Sequence, residues 1–240
     1  MLAGCVSSSE SIFAARDADI ASHFLPFDRI VPHPPDSLVA VEIRQKKNRI
    51  ALQLEKPYEE MLRDWSASWQ YQMRGSAGRN RAYRSFATLW SLDLSIASLQ
   101  PEIGLSGLSK DIAQQRIDER IAEFDSTLQI DVYQFLGSPP DLRGTSEMSL
   151  DGPGANVTLR DDRGNEYKPT REVSGPSTYD TVQGQSVVYR RNEFIFDRVV
   201  DGSDILSGVQ ELRLWVRPSF GETYYFTWSF EPNPTASSVR

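Results

Sequence analysis

The chain has 240 residues, with 26 basic against 33 acidic side chains for a formal net charge of −7, and it is 39% hydrophobic and 25% charged. That composition belongs to a chain that folds around a sizeable core, and its acidic balance speaks against nucleic-acid binding. One cysteine and two histidines, His23 and His33, exclude an internal disulfide framework and any multi-cysteine zinc site, and no apolar run approaches the roughly 18–20 residues of a bilayer-spanning helix.

The chain begins MLAGCVSSSE, with its single cysteine at position 5 behind Leu2-Ala3-Gly4 and ahead of a serine-rich run. Small residues at positions 3 and 4 let a peptidase cleft reach the backbone just before Cys5. The stretch resembles a lipobox, the end of a bacterial lipoprotein signal peptide. The resemblance implies that the Cys5 thiol is lipidated, that the chain is cut before it, and that a basic and apolar leader precedes it. Residues 1–5 are then a residual lipobox. Two or more acyl chains hold a membrane firmly where one does not, at about 0.8 kcal/mol per buried methylene. Val6 stands where an inner-membrane retention signal of enteric lipoproteins has Asp, so the resemblance favours the outer membrane, facing periplasm or surface. The alternative is a cytosolic protein whose Cys5 is accidental.

Residues 6–37 read as a Ser/Pro-rich tether. SIFAARDADIASHF suits a short helix, after which Pro26, Pro32, Pro34 and Pro35 forbid helix and favour extended chain. His23, beside Phe24 and Leu25, reads as a packed or surface histidine, and His33, between prolines, as a spacer.

From residue 38 the pattern has period two. LVAVEIR and RIALQLE around QKKN predict a hairpin. In YEEMLRDWSASWQYQMRG, Tyr58, Leu62 and Trp65 suit a helix while SWQYQMR suits a strand. FATLWSLDLSIAS at 86–98 sets Phe86, Thr88, Trp90, Leu92, Leu94 and Ile96 against Ser91, Asp93 and Ser95, which predicts a strand. SKDIAQQRIDERIAEF predicts a helix near 109–124, with Ser109 as N-cap and an apolar stripe of Ile112, Ile117, Ile121 and Phe124. Arg116 and Glu119, then Arg120 and Glu123, form i,i+3 pairs on its wet side. TLQIDVYQFLG, ANVTLRDDRGNEYKPTREV, SVVYRRNEFIFDRV, VQELRLWVRP and ETYYFTWSF continue as strands, separated by SPPD, DDRG, SGPS, DGSD and RPSFGE. Tyr224, Phe226, Trp228 and Phe230 form one aromatic core face of the last strand.

The expected fold is all-β and mainly antiparallel: a β-sandwich of Ig-like type over 38–231, with one accessory α-helix near residues 109–124 and a loose tail at 232–240. VTLRDDRGNEYKPT resembles the hairpin of small secreted Ig-like domains of the immunoprotection type. That resemblance implies Val157 and Leu159 facing the core, a turn at Asp162-Arg163-Gly164 and Tyr167 re-entering the sheet.

Reactive chemistry is harder to find. Gly75-Ser76-Ala77-Gly78 lacks the spacing of a serine elbow. Asp161-Asp162-Arg163-Gly164-Asn165-Glu166 and Asp201-Gly202-Ser203-Asp204 gather oxygens without calcium-loop spacing, and turn chemistry accounts for both. No catalytic residue, metal ligand or cofactor is expected, the alternative being an envelope hydrolase whose acids assemble from separate strands. In RGSAGRNRAYR, Arg74, Arg79, Arg81 and Arg84 lie without an acid, a candidate contact for anionic lipid, glycan or an acidic partner, or else a solubilising loop. In VQELRLWVRP, Leu212, Leu214 and Val216 take the inward face and leave Glu211, Arg213, Trp215 and Arg217 outside. Trp215 is a candidate contact for sugar, lipid or protein, unless a helix covers it or its arginine neighbours stack on it. The function expected is therefore that of a non-enzymatic, lipid-anchored cell-envelope protein. It would reach the membrane through Cys5 and present the sandwich to an envelope protein, anionic lipid or glycan.

Overall fold

The computed structural model describes residues 28–31, 33–74, 80–137, 156–182, 185–217 and 223–231, without the side chains of 70–74, 80–84, 135–137, 180–182 and 185–187. Two five-stranded sheets face each other. The first runs β1 (Asp28–Val31), β14 (Tyr224–Phe230), β13 (Glu211–Arg217), β7 (Asn156–Asp161), β8 (Glu166–Tyr167), and the second β4 (Ser66–Arg74), β5 (Asn80–Leu89), β6 (Thr127–Gly137), β10 (Gln185–Asp197), β9 (Arg171–Val182). Neighbouring strands are antiparallel except β1 and β14, which run parallel. Two hairpins stand apart, β2 (Val41–Lys46) with β3 (Arg49–Leu54) and β11 (Val199–Val200) with β12 (Ser203–Asp204). The fold is the antiparallel β-sandwich that the alternating strands predict.

Alternation decides what fills the sandwich. Val157, Leu159, Leu212, Leu214, Val216 and the aromatic row Tyr224, Phe226, Trp228 and Phe230 are all buried, each worth about 1.5–3 kcal/mol on leaving water. The second sheet meets them from the other side: the Trp69 and Tyr224 rings stack at 4.3 Å, and Gln134 Nε2 donates to the Tyr224 hydroxyl at 3.3 Å. Lower down, Trp228 Nε1 donates to the Trp65 carbonyl at 2.9 Å. Burial pushes the Tyr224 hydroxyl up to about 12, only partly opposed by hydrogen bonds with Gln134 and Ser85.

Several expectations are corrected. Among the described residues there are three α-helices, not one: α1 (Tyr58–Asp64), α2 (Leu92–Ile103) and α3 (Lys110–Ser126), with a 3-10 turn at Leu105–Gly107. LDLSIAS, read as strand, opens α2. Ser91 Oγ caps it by accepting the Leu94 N–H at 3.1 Å. Every residue from Asp93 to Leu99 is buried, so no wet face advertises the helical period. The segment YEEMLRDWSASWQYQMRG resolves into α1 followed directly by β4. In α3 the buried stripe is Ala113, Ile117 and Phe124, with Ile121 partly covered, whereas Ile112 is 48% exposed. Residue 112 is one position, about 100° of arc, off the face that 113, 117 and 124 share.

Residues 28–31 and 33–37, expected in the tether, belong to the folded unit. β1 completes the first sheet against β14, and the Leu92 N–H donates to the Pro35 carbonyl at 2.8 Å. SGPS is likewise not a turn: it lies inside β9, where the register with β10 shifts between Arg190 and Asn192. A Cβ on Gly175 would fall 2.9 Å from the Arg191 carbonyl oxygen, so glycine there permits close approach of two backbones. DGSD does turn, with Asp201 and Gly202 both at positive φ, 50° and 78°, the conformation of a two-residue type I′ hairpin.

Candidate functional site

Period two along β13 sends Glu211, Arg213, Trp215 and Arg217 to the outer face of the first sheet, as expected, while Leu212, Leu214 and Val216 are buried. Register brings in the neighbours. Across β7, Arg213 opposes Arg160, Trp215 opposes Thr158 and Arg217 opposes Asn156. Across β14, Trp215 opposes Tyr225 and Arg213 opposes Thr227. Diagonal contacts between these strands build a row of four groups. The Arg160 guanidinium lies 4.7 Å from the centre of the Trp215 ring. The Trp215 and Tyr225 rings are 5.0 Å apart at 35°, and the Arg213 guanidinium lies 5.0 Å from the Tyr225 ring.

Trp215 is thus half-buried, and among the described residues the guanidinium stacked on its ring is that of Arg160 of β7, not an arginine of its own strand. Tyr225 keeps 43% of its surface exposed. Arg160 pairs with Glu166 and Arg213 with Glu211, each at 2.8 Å and each half-exposed. Such exposed pairs are worth about 0–1 kcal/mol, and a cation over a ring about 0.5–1 kcal/mol. Among the described residues, the enclosed atoms Trp215 Nε1, Arg160 Nε, Arg213 Nε and Thr227 Oγ1 have no partner, and Thr227 is only 2% exposed. Lys168 Nζ donates to Asn156 and Thr158 on the same face. Around the rings, Arg160, Arg213, Arg217 and Lys168 stand against Glu166 and Glu211, with Asp28 beyond β14 on β1.

Of the other candidates, Cys5 and Arg79 lie outside the described residues. Arg74, Arg81 and Arg84 fall on the β4–β5 hairpin, where Arg74 pairs with Asn80, Met73 with Arg81 and Gln70 with Arg84. Most of that basic segment is therefore ladder-bonded strand.

The two acidic clusters are turn structures. Asp161 accepts backbone N–H groups from Arg163 at 3.0 Å and Asn165 at 2.8 Å, and side-chain donors from Arg163, Asn165 and Tyr167. Burial pushes its carboxyl up, but those hydrogen bonds together outweigh it and hold it below the usual carboxylate range. Asp204 is likewise pushed up by burial and pulled lower still by Arg198 and the Leu206 N–H. Among the described residues no group of three His, Cys, Asp or Glu side chains is placed to hold a metal ion, and no helix is long and apolar enough to cross a membrane.

His33, taken for a spacer, was missed by the sequence reading. Its Nε2 lies 3.5 Å from Asp93 Oδ2 and its ring meets the Trp65 ring edge-on at 5.5 Å. Asp93 also accepts the N–H groups of Val39 at 3.2 Å and Ala40 at 3.0 Å. The pair clasps the segment after β1 to the first turn of α2.

A groove of 410 Å³ between α2 and α3 has Leu99, Ile103, Leu108 and Ile112 on its walls. Its carboxylates are all ion-paired, Glu102 with Arg120 at 2.9 Å, Glu123 with Arg120 at 3.8 Å and Glu119 with Arg116 at 2.8 Å. Hydrogen bonds from Gln115 and Arg116 hold Glu119 low, the reverse of what a general acid needs.

No protein-family model matches the chain, and no curated protein sequence does. Among solved structures, a crystal structure of bovine butyrophilin aligns over 86% of this chain and 95% of that chain, at 12% identity and a TM-score of 0.22. That likeness is too slight to bear on function.

Proposed function

We propose that the chain is a non-catalytic, lipid-anchored cell-envelope protein whose β-sandwich is a binding module, working through the outer face around Trp215. The observation that carries the binding role is the patch of two rings and two guanidiniums held together by stacking on the outer face, with Tyr225 43% exposed. Held by stacking, these side chains lose little further rotamer freedom on meeting a ligand. Aromatic and arginine side chains are also the types that dominate binding surfaces. The lipobox resemblance of Leu2-Ala3-Gly4-Cys5 supports the anchor and the outer-membrane location.

Two measurements test the two halves. Behind a lipoprotein leader, the chain should partition with membranes and the Cys5→Ser chain should stay soluble; identical fractionation overturns the anchor. The purified Cys5→Ser chain should co-sediment with cell envelopes, and adding Trp215→Ala should weaken that at least tenfold with an unchanged circular dichroism spectrum. Undiminished sedimentation overturns the face as the contact surface.

A further inference from the structure

We infer that the Trp215 face takes an acidic polysaccharide, a chain of sugar rings that carry carboxylates; this rests on the face being the binding surface, as proposed above. Shape is the first argument. Arg160, Trp215, Tyr225 and Arg213 span β7, β13 and β14, with Arg160 directly opposite Arg213 and Trp215 directly opposite Tyr225, and strands about 4.8 Å apart make the patch about 10 Å wide. Two guanidiniums therefore lie beside two rings on an open sheet face, a flat patch against which a sugar chain can lie.

Charge is the second argument. Four cations stand against three carboxylates on this face, Glu166, Glu211 and Asp28, a small local excess in a chain of net −7. Each of these arginines bonds its glutamate through NH2, while its Nε is enclosed and has no partner among the described residues. A ligand carboxylate can take the glutamate's place on the guanidinium fork. It displaces only a half-exposed glutamate whose pairing is weak.

The rings supply the third argument. Tyr225 presents apolar surface to the C–H faces of a sugar, with the half-buried Trp215 ring beside it at 5.0 Å. An anionic membrane fits less well. A charged plane would meet the net negative charge of the whole chain, whereas a single polymer strand meets only the charges of this face.

The test is affinity electrophoresis of the Cys5→Ser full-length chain in gels containing polygalacturonate or neutral dextran, with sedimentation on phosphatidylglycerol vesicles alongside. Polygalacturonate should retard the protein and dextran should not. Trp215→Ala, and Arg160→Ala with Arg213→Ala, should each weaken retardation at least tenfold, and Arg160→Lys, which keeps charge but not the fork, should also weaken it. Salt should weaken it too, since half-exposed pairs are screened. Far-UV circular dichroism shows that each variant is folded. Equal retardation by dextran with the same Trp215 dependence overturns the acidic class and leaves the face standing. Polygalacturonate binding untouched by Trp215→Ala overturns the face for this ligand. Binding to vesicles alone, through the same residues, assigns the face to lipid and overturns the polysaccharide. Binding to no probe overturns the inference, and the envelope sedimentation of Trp215→Ala then judges the face by itself.

Discussion

Replacing Asp93 with alanine should destabilise the fold by about 2 kcal/mol. Asp93 is fully buried in the first turn of α2 and accepts the N–H groups of Val39 and Ala40. Hydrogen bonds to a charged acceptor are worth about 1.5–3 kcal/mol each, so the two lost bonds amount to about 3–6 kcal/mol. Against that stands relief from burying a carboxylate, the largest influence on this group, which raises its pKa despite the hydrogen bonds and the nearby His33. Setting one against the other leaves about 2 kcal/mol, or a fall in Tm of about 4–8 °C for a chain of this length. Urea unfolding followed by tryptophan fluorescence measures it, since the Trp65 ring touches His33. The pH dependence has a definite sign. A raised pKa means that the folded chain holds this proton more tightly than the unfolded one. Between the unfolded value near 3.9 and the raised value, stability from this group therefore falls as pH rises. Asp93→Asn has no such titration. A loss in Asp93→Ala of less than about 0.5 kcal/mol, the scatter of ordinary surface changes, or parallel pH profiles for the wild type and Asp93→Asn, would refute this account.

Three further outcomes are expected. Arg198 is 5% exposed, bonds Asp204 and the Phe124 carbonyl, and lies over the Phe124 ring; Arg198→Met should cost about 2 kcal/mol and let the Asp204 carboxyl rise in an NMR titration, whereas an unmoved titration contradicts the pairing. Asp161 is held below its ordinary value, so its contribution is present above the unfolded value near 3.9 and disappears as pH falls through the folded one; Asp161→Ala should be about 2 kcal/mol less stable at neutral pH and converge on wild type in acid, and a constant gap would show the hydrogen bonds to be unimportant. Gly175→Ala should cost about 1–3 kcal/mol in chemical denaturation because its Cβ meets the Arg191 carbonyl, and wild-type stability would mean that β9 and β10 do not approach so closely.

The strands were legible because each lies between core and solvent or between core and a polar layer. Leu212, Leu214 and Val216 against Arg213, Trp215 and Arg217 needed nothing but their order. The face around Trp215 was therefore half readable. Its own strand pointed outward correctly, while Tyr225 and Thr227 joined it through pairing with the next strand and Arg160 only through pairing with a strand far earlier in the chain. In α2 the signal was misleading. Leu92, Leu94 and Ile96 happen to alternate, and burial on every side removes the polar face by which a helix declares itself. Ser91 was the one readable hint, a capping residue directly before the helix.

Periodicity and turn chemistry alone dictated two layers of antiparallel strands, the aromatic core row of β14 and the amphipathic helix α3, since each reflects an environment that repeats along the chain. The partners that lie far apart in sequence were settled by tertiary packing: His33 with Asp93, Gly175 with Arg191, and the stacked row that makes Trp215 part of a surface. A residue type records how polar its surroundings must be. It carries no record of which distant side chain will provide them, and that choice is made when the sheets close on one another.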